Sequence, residues 1–224
     1  MPPAHISARI FGKAKPAIEK IAGSLLLKGS FVERVVVSLP LGMGIALPAY
    51  NDSGREAALV KTKPYDRAGA VSYAHAWAYG RNPRYYDFEK LGGDCTNFCS
   101  QSLYAGAGVM NPKPTFGWYY YGLNNRAPAW TGVQFLYNFL VNNRGVGPVA
   151  AETDAGQVEP GDIVQLSFDG SVFVHSPVIV SVGEIPSPAN ILVAAHTFDV
   201  DNRPLDTYTY ERVRYLHITH VNTW

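Results

Sequence analysis

Cysteine is scarce in this chain: Cys95 and Cys99 are the only two among 224 residues. Two cysteines cannot build a disulfide framework. Nor do they make a zinc site, because two further ligands are needed and no CxxC or HxxxH pair supplies them. They also leave the redox compartment open. Charge is scarce as well. Asp, Glu, Lys and Arg make up 17% of the chain and the net charge is +1, which gives no global attraction to nucleic acid or acidic lipid. Long apolar runs are missing too. The richest, Val35 to Tyr50, is interrupted by Pro40, Gly42, Gly44 and Pro48 and is too short for a stable membrane span of about 20 residues. There is no internal repeat. What is plentiful is apolar and aromatic: 47% hydrophobic residues, with 14 Tyr and 10 Phe. That is enough for a sizeable core and too apolar for disorder.

The first 64 residues read differently from the rest. They carry nine Lys/Arg against four Asp/Glu, whereas the remaining 160 carry ten against fourteen. Val35 to Tyr50 follows basic residues and ends in small ones, like the apolar part of a signal peptide, although it starts unusually far from the N-terminus. Two readings of residues 1–64 stay open. One is a leader-like segment, which would place the protein at the cell envelope or outside. The other is a loosely packed basic extension of a cytoplasmic protein. Residues 65–224 are read as the folded domain.

From Tyr65 the pattern becomes regular. Ala70, Val71, Ala74, Trp77 and Ala78 recur at helical spacing until Gly80 and Pro83. A second helix is predicted after Asp94, ending near Gly106, and a third over TGVQFLYNFLVNNRG, stopped by Asn143 and Gly145. Beyond Gly145 the period changes. PGDIVQLSF, VFVHSPVIVSVG, ANILVAAHT and YERVRYLHITHV read as strands, separated by turn chemistry at Asp169-Gly170, Gly183–Pro188 and Asn202–Leu205. Helices first and strands after imply an α+β domain with an antiparallel sheet.

Both cysteines lie in GGDCTNFCSQ. Asp94 suits the N-cap, which puts Cys95 in the first turn of the second helix. There the aligned peptide dipoles favour thiolate, and free N–H groups face a developing oxyanion. Gly92 and Gly93 let the chain turn tightly beside the sulfur. Cys99 lies one turn deeper; Cβ atoms four residues apart in a helix are about 6 Å apart, too far for the ~3.8 Å of a disulfide. Cys99 is therefore read as a small buried hydrophobe. Local context leaves Cys95 open between an activated nucleophile and a second buried thiol.

A nucleophile needs a base nearby in space. Of six histidines, His5 is in the basic arm, His75 is on the first helix, and His217 and His220 are on the last strand. His175 opens the apolar run HSPVIVSVG and His196 closes NILVAAH. A hairpin turn centred between Ile185 and Pro186 would place these two rings opposite each other on one face, with Cβ atoms about 5 Å apart. One ring would then orient the other. This depends on the turn centre, since a slip of one residue sends a ring to the other face.

DCTNFCSQSLY, PGDIVQLSF, FVHSPVIVSVG and ILVAAHT together resemble the papain-like NlpC/P60 superfamily. Within it, YDRAGAVSYAHAWAYGRNPRYYDFEKLGGDCTNFCSQSLYAG, GWYYYGLNNRAPAWTGVQFLYNFL and HTFDVDNRPLDTYTYERVRYLHI resemble the bacterial putative amidase domain family from about Tyr65 to Val221. The resemblance implies a papain-like fold in which the cysteine-bearing helix packs on an antiparallel sheet. It implies Cys95 as nucleophile, His175 as base and His196 as the third polar residue, with Asp199 a rival orienter and Asp162 a turn residue. An upstream tyrosine, Tyr85 or Tyr86, would help line the oxyanion site. Asp94 and Trp118 complete the expected substrate side. Pro177 departs from the pattern and implies a bulged pairing beside the base. The expected activity is hydrolysis of a peptide-like amide, cell-wall peptides among the candidates, with no metal, organic cofactor or nucleic-acid partner. Two alternatives are an acyltransferase using the same cysteine and histidine, and a non-catalytic module that binds ligand through the aromatic strip Phe116–Trp130.

Overall fold

The computed structural model describes residues 60–224, which lie within a unit running from Ser53 to Trp224. The leader-like reading of Val35 to Tyr50 and most of the basic extension fall outside the described residues. Lys61–Lys63, just before the boundary read at residue 64, forms an edge strand, β1.

Helix α1 spans Arg67–Trp77 and starts on Asp66, whose side chain accepts the Gly69 N–H at 2.9 Å. Helix α2 spans Cys95–Ala107 and ends on Gly108 at φ 68°. Gly106 of α2 packs against the residues just before α1, where a Cβ would lie 2.4 Å from the Tyr65 ring and 2.6 Å from the Asp66 carbonyl oxygen, so only glycine fits. A short helix α3, Pro128–Thr131, leads into α4, Val133–Asn142. Two small strands, β2 (Tyr120–Gly122) and β3 (Asn125–Arg126), make a separate hairpin.

The remaining strands are β4 (Gly147–Thr153), β5 (Ile163–Ser167), β6 (Val178–Ser181), β7 (Leu192–Ala195), β8 (Val200–Pro204) and β9 (Arg212–Thr223). They form one antiparallel sheet in the order β1-β9-β5-β6-β7-β8, with β4 also on β9. The mixed, helices-first architecture with an antiparallel sheet is the one expected. Two strands differ from expectation. β4 was not marked, because GPVAAET has neither alternation nor a β-branched run. β8 was read as a turn from Asn202 to Leu205; Asn202 does adopt φ 54°, but the segment is an edge strand, where Pro204 is tolerated.

Alternation along the strands divides the core in two. Ile163, Val178, Ala194, Leu216 and Ile218 face the helices and pack with Phe98, Leu103, Trp130 and Leu140. Val164, Leu166, Ile179, Val193 and Tyr215 face the other way, with Ile191 and Leu205. This two-sided burial explains why β5 is buried at every position.

Candidate active site

Gly92 and Gly93, both at φ 103°, turn the chain into the start of α2. The Asp94 carbonyl accepts the Phe98 N–H at 2.9 Å. The Asp94 carboxylate, however, makes no cap to the helix. Its Oδ1 accepts the Phe88 N–H at 2.8 Å and the Asn97 amide at 2.9 Å, while Oδ2 lies 2.6 Å from His196 Nδ1. Asp94 is fully buried. It therefore fixes the polypeptide around the sulfur instead of facing substrate.

Cys95 is 7% exposed and Cys99 is fully buried; both are free thiols. The Cys95 Sγ lies along the chain that leads into β6. It is 3.8 Å from the Val174 carbonyl oxygen and 3.7 Å from Thr96 Oγ1. The expected thiolate bias is overridden. Burial pushes the Cys95 thiol up, and the Ser176 N–H and the Thr96 hydroxyl and N–H offset this only in part. The resting group is a thiol.

His175 sits next to that backbone. The link from β5 runs irregularly: Leu166 N–H donates to the His175 carbonyl at 3.1 Å and Val174 N–H to Leu166 O at 2.9 Å. Pro177 opposes Val164 and has no N–H to give, so regular pairing resumes only at Val178. The His175 ring is 5.7 Å from the Tyr208 ring and 6.2 Å from Phe168, and neither ring nitrogen finds a hydrogen-bond partner among the described residues. Burial first, and the Arg203 charge second, push its pKa down to about 4. It is a neutral imidazole at neutral pH.

The predicted pairing of His175 with His196 does not form. Val178 opposes Ala194 and Ile179 opposes Val193; continued along the strands, Ser176 and not His175 falls opposite His196. The turn is organised by Asn190, which accepts the Ser187 N–H and donates to Ile185 O, and this moves the register by one residue. The two rings consequently lie on opposite faces of the sheet. His196 stacks on Phe98 at 4.1 Å, on the helix side. Its Nδ1 meets Asp94 and its Nε2 lies 2.8 Å from the Trp77 carbonyl oxygen. Each ring nitrogen is engaged by an oxygen, so neither is turned toward His175. Asp199 does not replace it, being bound to both terminal nitrogens of Arg81 at 2.9 Å. Asp162 is more than a turn residue: buried, it accepts from Arg67 at 2.7 Å and meets His217 at 2.9 Å.

Three further expectations shift. Trp118 is fully buried, with its indole N–H on Ser100 Oγ at 3.0 Å, and belongs to the core. Tyr85 stacks on Trp130 and lines a hollow with Tyr104 and Tyr120 that does not include Cys95. Tyr86 is 42% exposed and packs edge-on against Phe88, and no contact joins it to Cys95. The tyrosine near the sulfur is instead Tyr208. Its hydroxyl is buried with no hydrogen-bond partner among the described residues, its ring carries Arg203 at 3.8 Å, and burial first, with a smaller contribution from Cys95, raises its hydroxyl pKa against the lowering effect of Arg203. It lies 113 residues after Cys95 in a loop, and nothing in the local sequence sets it apart from the other tyrosines. A hollow of about 640 Å³, lined among others by Asn111, Phe116, Phe135 and Arg144, includes none of these residues.

A mixed α/β domain with a free thiol at a helix start, lodged against the backbone that flanks a neutral histidine, is the class defined so far. The family model for the Putative amidase domain matches residues 64–219, and the chain belongs to that family. The Uncharacterized protein YhbB of Bacillus subtilis (strain 168) is 30% identical over 173 residues, 75% of this chain. The match covers 53% of that protein, so the chain spans about half the length of this relative. No solved structure matches.

Proposed function

We propose that the domain is a cysteine amidase or peptidase of papain-like, NlpC/P60-type architecture. The observation that carries this reading is the Cys95 sulfur at the start of α2, lodged against the backbone that flanks His175. In the reading, neutral His175 takes the Cys95 proton as the sulfur attacks an amide carbonyl. The N–H groups of the first turn of α2 stabilise the oxyanion. His175 then protonates the leaving amine and, in the second half, activates the water that clears the thioester. Asp94 and His196 hold the start of α2 to the end of β7 and act through position alone. Peptide-like amides are the substrate class, and cell-wall peptides are the first to test.

The experiment is incubation of the wild type and Cys95→Ala with purified peptidoglycan fragments and simple peptide amides, with mass spectrometry of the products. Cleavage by the wild type alone is expected. Equal cleavage by Cys95→Ala overturns the reading.

A further inference from the structure

Strand β5 carries one polar side chain where its pattern calls for an apolar one. Gln165 shares the helix-facing side with Ile163 and is fully buried. Burying an amide costs free energy unless its groups are bonded. Every group of Gln165 is bonded. Its Oε1 accepts from Arg214 Nε at 2.8 Å and also from Nη2, and its Nε2 donates to Val133 O at 3.0 Å and Ser176 Oγ at 3.1 Å. A guanidinium can only donate, so the orientation of the amide is fixed.

Arg214 itself is 8% exposed, sits over the Tyr137 and Phe173 rings at 3.7 and 4.0 Å, and pairs with no carboxylate among the described residues. Its other acceptor is Gln134 Oε1 at 3.3 Å. From Ser176 the chain continues: Thr96 Oγ1 donates to Ser176 Oγ at 3.3 Å and lies 3.7 Å from Cys95 Sγ. Ser176 is fully buried and Thr96 nearly so.

We propose that Arg214, Gln165, Ser176 and Thr96 form a buried positioning relay that turns a hydroxyl proton onto the Cys95 sulfur as the thiol ionises. It rests on the amidase reading for its purpose but not for its measurement. In the resting thiol, the Thr96 proton is on Ser176. When the thiol proton leaves, the Thr96 hydroxyl rotates to donate to sulfur. Ser176, whose own proton has no other acceptor among the described residues, rotates to donate to Thr96 Oγ1. Gln165 keeps a fixed N–H on Ser176 Oγ in both arrangements, and no bond is made or broken beyond the thiol S–H. The other groups around the sulfur are Asp94, whose charge opposes ionisation, Tyr208, and His175 on the adjoining backbone.

The test is the pH dependence of iodoacetamide alkylation at Cys95, read by peptide mass spectrometry, with buried Cys99 as the reporter of unfolding. Thr96→Val and Ser176→Ala are expected to raise the midpoint by about one pH unit, which slows alkylation about tenfold at a fixed pH below it. Thr96→Ser keeps the hydroxyl and stays within about twofold of wild type. Arg214→Lys retains charge but loses the fork onto Gln165, so its midpoint also rises. If Ser176→Ala labels promptly at Cys99 and is therefore unfolded, the Thr96→Val and Thr96→Ser pair decides. Unmoved midpoints in folded Thr96→Val and in every other folded variant overturn the relay. No substrate is used, so a protein inactive on all amides leaves this result standing, and an active protein with unmoved midpoints sinks the relay alone.

Discussion

His175 and His196 end two neighbouring strands, and the molecule treats them in opposite ways. His196 is 1% exposed, stacked on Phe98, and bonded through both nitrogens to Asp94 and Trp77 O. His175 is almost as buried, at 6%, yet its ring is unbonded among the described residues and its pKa is pushed down to about 4. A ring bonded at both nitrogens can hold a fold together but cannot move a proton. A neutral ring with unengaged nitrogens, carried on the backbone that touches a thiol, is free to do so. The difference follows from one residue of register between β6 and β7, which turns one ring to the helices and leaves the other on the far face.

The comparison breaks most sharply if the two rings are exchanged in importance. His175→Ala is expected to lower kcat about 10²- to 10⁴-fold, the usual worth of a general base, with the melting temperature nearly kept. Steady-state rates and thermal unfolding of the same sample check this. His196→Ala and Asp94→Ala are expected to act the other way, each costing about 3–5 kcal/mol of stability, because each leaves a buried partner unpaired. Urea unfolding measures both, and the double variant should cost clearly less than the two single losses together. A stable, inactive His196→Ala would instead restore His196 to the chemistry.

Acid sharpens the contrast next. The depressed His175 value means the unfolded chain binds this proton first. Its contribution to stability is complete above about pH 6.5 and is lost as pH falls toward 4, by up to about 3 kcal/mol. In parallel, the acid limb of kcat/KM should lie near pH 4 and not near 6.5, and it should move if Arg203→Gln removes the second cause of the shift. The smallest expected effect is at Tyr208. Tyr208→Phe removes a buried hydroxyl that has no hydrogen-bond partner among the described residues, so stability should hold or rise by up to about 1 kcal/mol in thermal unfolding.

The first two helices were legible from apolar spacing ahead of Gly80 and Pro83 and from Asp94 before Cys95, whereas the caps at Asp66 and Gly108 are seen only in the fold. The sequence also marked Cys95, and singled out His175 from the apolar run it opens. The irregular link beside His175 was legible too, since a proline without an N–H was bound to interrupt the ladder at Pro177. What could not be read were relations set by tertiary contacts. The β6–β7 register was decided by the side chain of Asn190, not by the centre of the turn sequence. Trp118, expected on the substrate side, is instead enclosed by Trp130 and Phe139. The helix dipole at Cys95 was legible, but the burial that outweighs it was not. Arg214, Gln165 and Ser176 come from three different segments, and only the folded sheet brings them to the sulfur.

The central claim, that Cys95 reacts through His175, is tested most directly by rapid mixing with p-nitrophenyl acetate and intact-protein and peptide mass spectrometry of the quenched sample. The account predicts a burst of about one nitrophenolate per chain, one acetyl group on Cys95 and none on Cys99, and a burst slowed about 10²-fold or more in His175→Ala. A burst that survives in Cys95→Ala, or one that His175→Ala leaves at its wild-type rate, would contradict it.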